Sequence, residues 1–152
     1  CALPILSLIY NIFCYNFYNK GYSMKIVILL LTFIPLFANS AKSIDATTLE
    51  KYLSKRAIII DIRTKQEQTQ KGIIPSSYTI TYENSSDLEM KRWKYKLLKV
   101  IKSPNQSFAL IDKDGQKSKN LANELKKAGF KKVFYLEGGF KAWKKEGKRV
   151  IN

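Results

Sequence analysis

The stretch FALIDKDGQKSKN, residues 108–120, gathers Asp112, Asp114, Gly115 and Ser118 within a few residues, with Lys113, Gln116 and Lys117 between them. Two carboxylates, a glycine and a hydroxyl at this spacing suit three kinds of chemistry. The first is calcium binding. A calcium loop of the helix–loop–helix type needs oxygen ligands at its first, third and fifth positions, glycine at the sixth and glutamate at the twelfth. Counted from Asp112, the sixth residue is Lys117 and the twelfth is Asn123, so the sharp turn and the bidentate acid are both missing. The second is phosphoryl transfer, with Asp112 attacking phosphorus and Asp114 handling the proton beside magnesium. The third is an anion cradle. Gly115 lets the backbone approach closely, and the N–H groups of residues 113–118 can converge where a helix starts.

Residue types missing from the chain narrow the choice. Histidine is absent, and the two cysteines, Cys1 and Cys14, both precede residue 41. Residues 41–152 therefore have no disulfide, no thiolate nucleophile, no histidine base and no Cys/His zinc site. Only Asp, Glu, Lys, Tyr, Ser and Thr remain for chemistry there, and neither a metal nor a cofactor is expected. The formal charge is +15, and because Lys20 and Lys25 are the only charged residues before Ala41, residues 41–152 carry +13. Such a balance favours anionic partners such as lipid headgroups, nucleic acid or acidic proteins. Solvated lysine-rich faces account for it equally well, and they are the preferred reading.

A chain of 152 residues is enough for one domain. From Met24 the sequence reads MKIVILLLTFIPLFANSAKS: a positive start at Lys25, an apolar core from Ile26 to Phe37, and a small-x-small pattern at Ala38-Asn39-Ser40. That is the pattern of a secretory signal peptide over residues 24–40, and its apolar core is short for a membrane span. Residues 1–23 read as an upstream extension outside the fold, and 41–152 as the domain. The expected location is bacterial periplasm or secretion. Nucleic acid is then not an expected partner, and a membrane is expected only through the N-terminal segment where it stays uncleaved.

The elements that must hold the 112–118 loop follow from periodicity. IDATTLEKYLSK predicts a helix with Thr47 and Glu50 at capping-box spacing and Leu49, Tyr52 and Leu53 as its apolar stripe. AIIIDI (57–62) and SFALID (107–112) are continuous apolar runs, as expected of parallel strands covered on both faces. TKQEQTQKG predicts a polar helix closed by Gly72, and SYTITYE a strand ending near Tyr82. DLEMKRWKYKLLKVIK predicts a long amphipathic helix with Leu88, Trp93, Leu97 and Val100 or Ile101 inward. A helix closed by Gly129, a strand in KKVFYLEG and a last helix bearing Phe140 and Trp143 complete the chain. Tyr52, Tyr78, Trp93 and Phe130 read as packing residues. Strands alternating with helices predict a single α/β domain, a central parallel sheet flanked by helices on both faces. Ligands in such folds sit beyond the carboxyl ends of strands, which is where Asp112 falls.

Two resemblances bear on the loop. An apolar strand followed by Asp112-x-Asp114-Gly115 resembles the first motif of the haloacid dehalogenase superfamily, which implies a metal-dependent phosphohydrolase using Asp112 and Asp114. Gln116 departs from the small hydroxyl or β-branched residue usual there, and residues 113–152 leave little room for later motifs. The wider chain, residues 44–150, resembles a rhodanese-like domain. Asp61-Ile62-Arg63, Glu67 and Gly72-Ile73-Ile74-Pro75 match its first half, and Gly138-Gly139-Phe140 with Trp143 match its ending. Pro75 is followed by Ser76-Ser77 where that family has Gly-Ala.

The rhodanese resemblance implies that residues 112–118 are the active-site loop. Its pattern is Cys, two residues, Gly, one residue, Arg, Ser. Gly115 and Ser118 match, Lys117 replaces the arginine, and Asp112 stands where the cysteine belongs. In that family the thiolate becomes a persulfide that carries a sulfur atom, which a carboxylate cannot do. The resemblance thus implies a fold without its nucleophile, that is, a non-catalytic binding or regulatory module, although the family by itself would imply sulfurtransferase activity. Candidate ligand contacts are Asp61, Arg63, Asp112, Gly115, Lys117 and Ser118, and the partner is an unidentified protein or a small anion. The Asp112 carboxylate either enters the cradle or faces solvent with no partner. Asp61 and Arg63 either meet substrate or hold loops together.

Overall fold

The computed structural model describes residues 40–83 and 86–152. The extension expected at 1–23 and the signal peptide expected at 24–40 lie, apart from Ser40, outside the described residues. Uninterrupted apolar runs make the middle of the sheet: β2 (Ile58–Asp61), β4 (Phe108–Ile111) and β5 (Val133–Leu136). With β1 (Lys42–Ile44) and β3 (Tyr78–Thr79) they form a five-stranded sheet in the order β1-β5-β4-β2-β3, parallel throughout.

β1 was not predicted. It is three residues long, and what makes it a strand is pairing with β5 near the other end of the domain, Ser43 opposite Tyr135. β3 is shorter than predicted. Beyond it the chain still bonds to the sheet edge, Ile80 N–H donating to the Asp61 carbonyl at 3.0 Å and Tyr82 N–H to the Ile62 carbonyl at 3.1 Å. Tyr78 is half exposed there and does not pack as predicted.

Five helices cover the sheet among the described residues. α1 (Ala46–Ser54) starts at Asp45, not Thr47. The Asp45 carboxylate accepts the Thr48 N–H, while Glu50 pairs with Lys148 instead of completing a capping box. α2 (Lys65–Lys71) carries the capping box instead, Thr64 and Glu67 satisfying each other's backbone N–H, and Gly72 ends it at φ +75°. α3 (Asp87–Ile101) is capped by Ser86 and closes at Lys102; α4 (Gln116–Lys127) and α5 (Gly139–Lys145) follow β4 and β5.

Alternation along the strands splits the core in two. Ile60 and Leu110 face Trp93 and Leu97 of α3 and Leu121 and Leu125 of α4. Ile59, Ala109 and Ile111 face Leu49 of α1 and Phe140 and Trp143 of α5. Among the described residues, both cores and all five strands belong to one compact unit, 39–152. Leu88, predicted to face inward from α3, is 55% exposed.

Candidate functional site

The parallel register brings two acids to one end of the sheet. Asp61 pairs with Ile111, and the Ile62 N–H donates to the Ile111 carbonyl at 2.8 Å, so Asp61 and Asp112 leave adjacent strands side by side. Both are buried, at 0% and 3% exposure.

Asp112 turns its carboxylate into the start of α4. Oδ1 accepts the Gly115 N–H at 2.7 Å and the Ser118 hydroxyl at 2.8 Å, and Oδ2 accepts the Lys117 N–H at 2.9 Å. Gly115, at φ +92°, occupies the N-cap position of α4 and has no side chain to cap it; Asp112 does so from three residues upstream. A negative group here meets the partial positive charge of the helix terminus, and ionised acceptors make the stronger hydrogen bonds. Of the two orientations left open by the sequence, the inward one is observed.

The loop is braced from behind by α5. The Phe140 N–H donates to the Asp112 carbonyl at 2.8 Å and the Lys141 N–H to the Lys113 carbonyl at 3.1 Å. Gly139, at φ +58°, lets this contact form. A Cβ there would stand 2.6 Å from the Asp114 nitrogen and 2.7 Å from both the Asp112 carbonyl oxygen and the Gly115 nitrogen. Gly138 and Gly139, at φ +67° and +58°, also make the tight turn into α5. Their second role, backbone contact with the 112–115 loop, has a faint signal: paired glycines directly after a strand whose neighbour carries the site loop.

The remaining loop residues diverge. Asp114 is exposed and its Oδ1 accepts the Gln116 N–H at 3.3 Å. Lys113, Gln116 and Lys117 are also exposed, and the Lys117 ammonium lies 5.7 Å from the centre of the Tyr82 ring. The two carboxylates thus bind different amides and do not act as a pair. Oδ1 of Asp112 is engaged twice and Oδ2 once, so only Oδ2 keeps a lone pair with which to attack phosphorus. No group of three or more acidic, histidine or cysteine side chains that could hold a metal occurs among the described residues.

Asp61 is compensated by a cation. Its oxygens accept the Arg63 backbone N–H and Nε at 3.0 Å and Nη2 at 2.5 Å, and Nη2 also donates to the Gly72 carbonyl at 2.8 Å. The guanidinium lies 3.6 Å from the Phe140 ring centre, while Nη1 is buried without a partner among the described residues. Gln68, buried beneath, donates to the Arg63 carbonyl at 3.0 Å. This arrangement ties the β2 end to α2 and α5, a loop-holding role. A cleft of about 260 Å³ separates the two strand ends, with Arg63 and Glu67 on one wall and Asp112, Lys113, Asp114 and Lys117 on the other. Candidate residues from both ends, Arg63, Asp112 and Lys117, meet this open space.

The family model described as the rhodanese-like domain matches residues 45–146. Among solved structures, a rhodanese-related protein from Thermoplasma volcanium is 26% identical with a TM-score of 0.57, covering 72% of this chain and 97% of that one. A rhodanese-like domain protein from Staphylococcus aureus is 26% identical with a TM-score of 0.55, covering 73% and 99%. A Rhodopseudomonas palustris protein of unknown function, described as a possible tyrosine phosphatase, is 22% identical with a TM-score of 0.54, covering 73% and 85%. That last likeness speaks to fold alone. No curated protein matches the chain.

Proposed function

The chain belongs to the rhodanese-like domain family, and we propose that it works there as an exported binding or regulatory module, not as a sulfurtransferase. The observation that carries this reading is the Asp112 carboxylate bound to the Gly115 and Lys117 N–H groups and the Ser118 hydroxyl. The family's chemistry needs a thiolate at this position and those same donors for the negative sulfur it carries. Here the position has no sulfur, and the donors already hold an anion that belongs to the chain. Residues 41–152 contain no other thiol to take its place.

An incoming ligand would therefore meet the outer side of the loop. Lys113 and Lys117 line the cleft between the strand ends together with Arg63. These cations suit a small anion or an acidic group on a protein partner. Export is supported by the signal-peptide pattern of residues 24–40, and a mature N-terminus found at Ala41 by mass spectrometry would be its direct readout.

The test is thiocyanate formation from thiosulfate and cyanide by residues 39–152, wild type beside Asp112→Cys. The wild type is expected to give none. The cysteine variant is expected to gain turnover if the loop still presents its amides, with Lys117→Arg added to restore the family pattern. Turnover by the wild type would overturn the proposal.

A further inference from the structure

Three of the large apolar residues that the fold leaves exposed, Leu88, Tyr95 and Leu98, sit on α3, at 55%, 63% and 39% exposure. The inner face of that helix is already filled by Trp93, Leu97 and Ile101, so these three are surplus to the core. At about 3.6 residues per turn, Leu88 and Tyr95 fall on one line along the outer face, with Leu98 beside it. The same face is basic. Lys91, Arg92, Lys96, Lys99 and Lys102 are all exposed and flank that line, against Asp87 and Glu89 in the first turn. Glu89 pairs with Arg92 at 2.9 Å, and the Lys99 ammonium rests 4.6 Å from the Tyr95 ring centre.

We propose that the outer face of α3 docks this domain on an anionic lipid surface. The inference is independent of the 112–118 loop. None of the described helices is long and apolar enough to cross a membrane, so the helix would lie in the interface. Apolar anchors flanked by lysines are the arrangement that such helices use: the anchors enter the acyl boundary while the long basic stems reach the headgroups. Tyrosine suits the same depth, with its ring in the apolar region and its hydroxyl in water. An acidic protein fits less well, because the dry centre of a protein interface is depleted in lysine, and here lysines adjoin every anchor. A cleft of about 660 Å³ beside the helix, walled by Tyr82, Trp93 and Tyr95, is edged by four cations, Lys91, Arg92, Lys96 and Lys99, against two acids, Glu83 and Glu89, and gives a headgroup room to sit on its basic side.

The test uses the folded unit 39–152, because the apolar stretch upstream would bind lipid by itself. Sedimentation with vesicles of equal parts phosphatidylglycerol and phosphatidylcholine should recover the protein, and pure phosphatidylcholine should not. Lys91→Gln, Lys96→Gln and Lys99→Gln together should weaken partitioning roughly a hundredfold, since each cation near such a surface contributes about fivefold. Leu88→Ser, Tyr95→Ser and Leu98→Ser together should weaken it about tenfold with the circular dichroism unchanged. Failure to bind the anionic vesicles would overturn the proposal, as would binding that ignores the serine substitutions. Tighter capture by polyglutamate, lost with the same glutamine substitutions, would assign the face to an acidic protein and likewise overturn it.

Discussion

Asp61 and Asp112 are the same residue type at the same end of the same sheet, both buried, and they are neutralised in opposite ways. Asp61 faces a guanidinium that is itself buried and stacked on Phe140. Asp112 makes no ion pair among the described residues; two backbone N–H groups and a hydroxyl at the start of α4 hold its charge. The difference lies in what remains when the acid is removed. Removing Asp61 strands a full positive charge in the interior. Removing Asp112 leaves neutral polar donors, of which the Lys117 N–H is only partly buried. One acid is a structural fastener, and the other fills a place that the fold could have left for a ligand.

The largest effect should therefore come from Asp61→Ala. Breaking one side of a buried ion pair costs about 3–5 kcal/mol, because the partner's charge is left unpaired. Arg63 is in a poor position to recover, since Nη1 already lacks a partner among the described residues. Urea unfolding should show most of the domain's stability gone. Adding Arg63→Met should return much of it, because an apolar pair of similar size can replace a buried ion pair at little cost. If Asp61→Ala loses less than about 1 kcal/mol, the range of ordinary exposed pairs, the ion pair is not buried in solution and the contrast with Asp112 fails.

Asp112→Ala comes next. The loss is that of a helix cap, about 1–2 kcal/mol, with the Ser118 hydroxyl left to find another acceptor such as the Gly115 carbonyl 3.3 Å away. Asp112→Asn should cost less, because an amide oxygen still accepts one of the two N–H groups. The ordering is the informative part: alanine should hurt at position 61 more than at 112 under identical conditions. Equal losses would mean that the cradle carries structural load and is no longer a site from which function can be read.

Much of this arrangement was legible in the sequence, and the failures share a cause. β2, β4 and β5 declare themselves because strands buried on both faces need continuous apolar residues. The loop position of Asp112 follows from the end of β4 and the spacing to Gly115 and Ser118. β1 is invisible because only its pairing with β5 makes it a strand. Leu88 was assigned to the inner stripe of α3 on composition, yet the five residues separating it from Trp93 turn it to the opposite face. The inward turn of the Asp112 carboxylate depends on Gly139 admitting the loop against α5, a contact between segments far apart in sequence. Ser76, at φ +61°, shows the same limit: the family's glycine at that position suits the left-handed backbone, and the substitution to serine reveals strain only once the angle is known.

Asp45 offers the smallest effect and separates hydrogen bonding from burial. Like Asp112 it accepts a helix N–H, that of Thr48 at 2.6 Å, but its carboxylate is exposed at the start of α1. The Thr48 N–H, then the Thr48 hydroxyl, hold its carboxyl below the usual aspartate value, with the Lys51 and Lys148 charges adding to the effect. A group depressed in the folded state contributes stability above its unfolded value, about 3.9, and loses it as pH falls through the folded one. Asp45→Asn keeps an acceptor oxygen and removes the charge. Thermal melts should place the variant slightly below wild type at neutral pH, with the gap closing as pH drops beneath about 3.9. A gap that stays constant across that range would mean the charge contributes nothing at an exposed cap. The cradle charge of Asp112 would then owe its effect to burial and to the further donors it has gathered, the Lys117 N–H and the Ser118 hydroxyl, which Asp45 lacks.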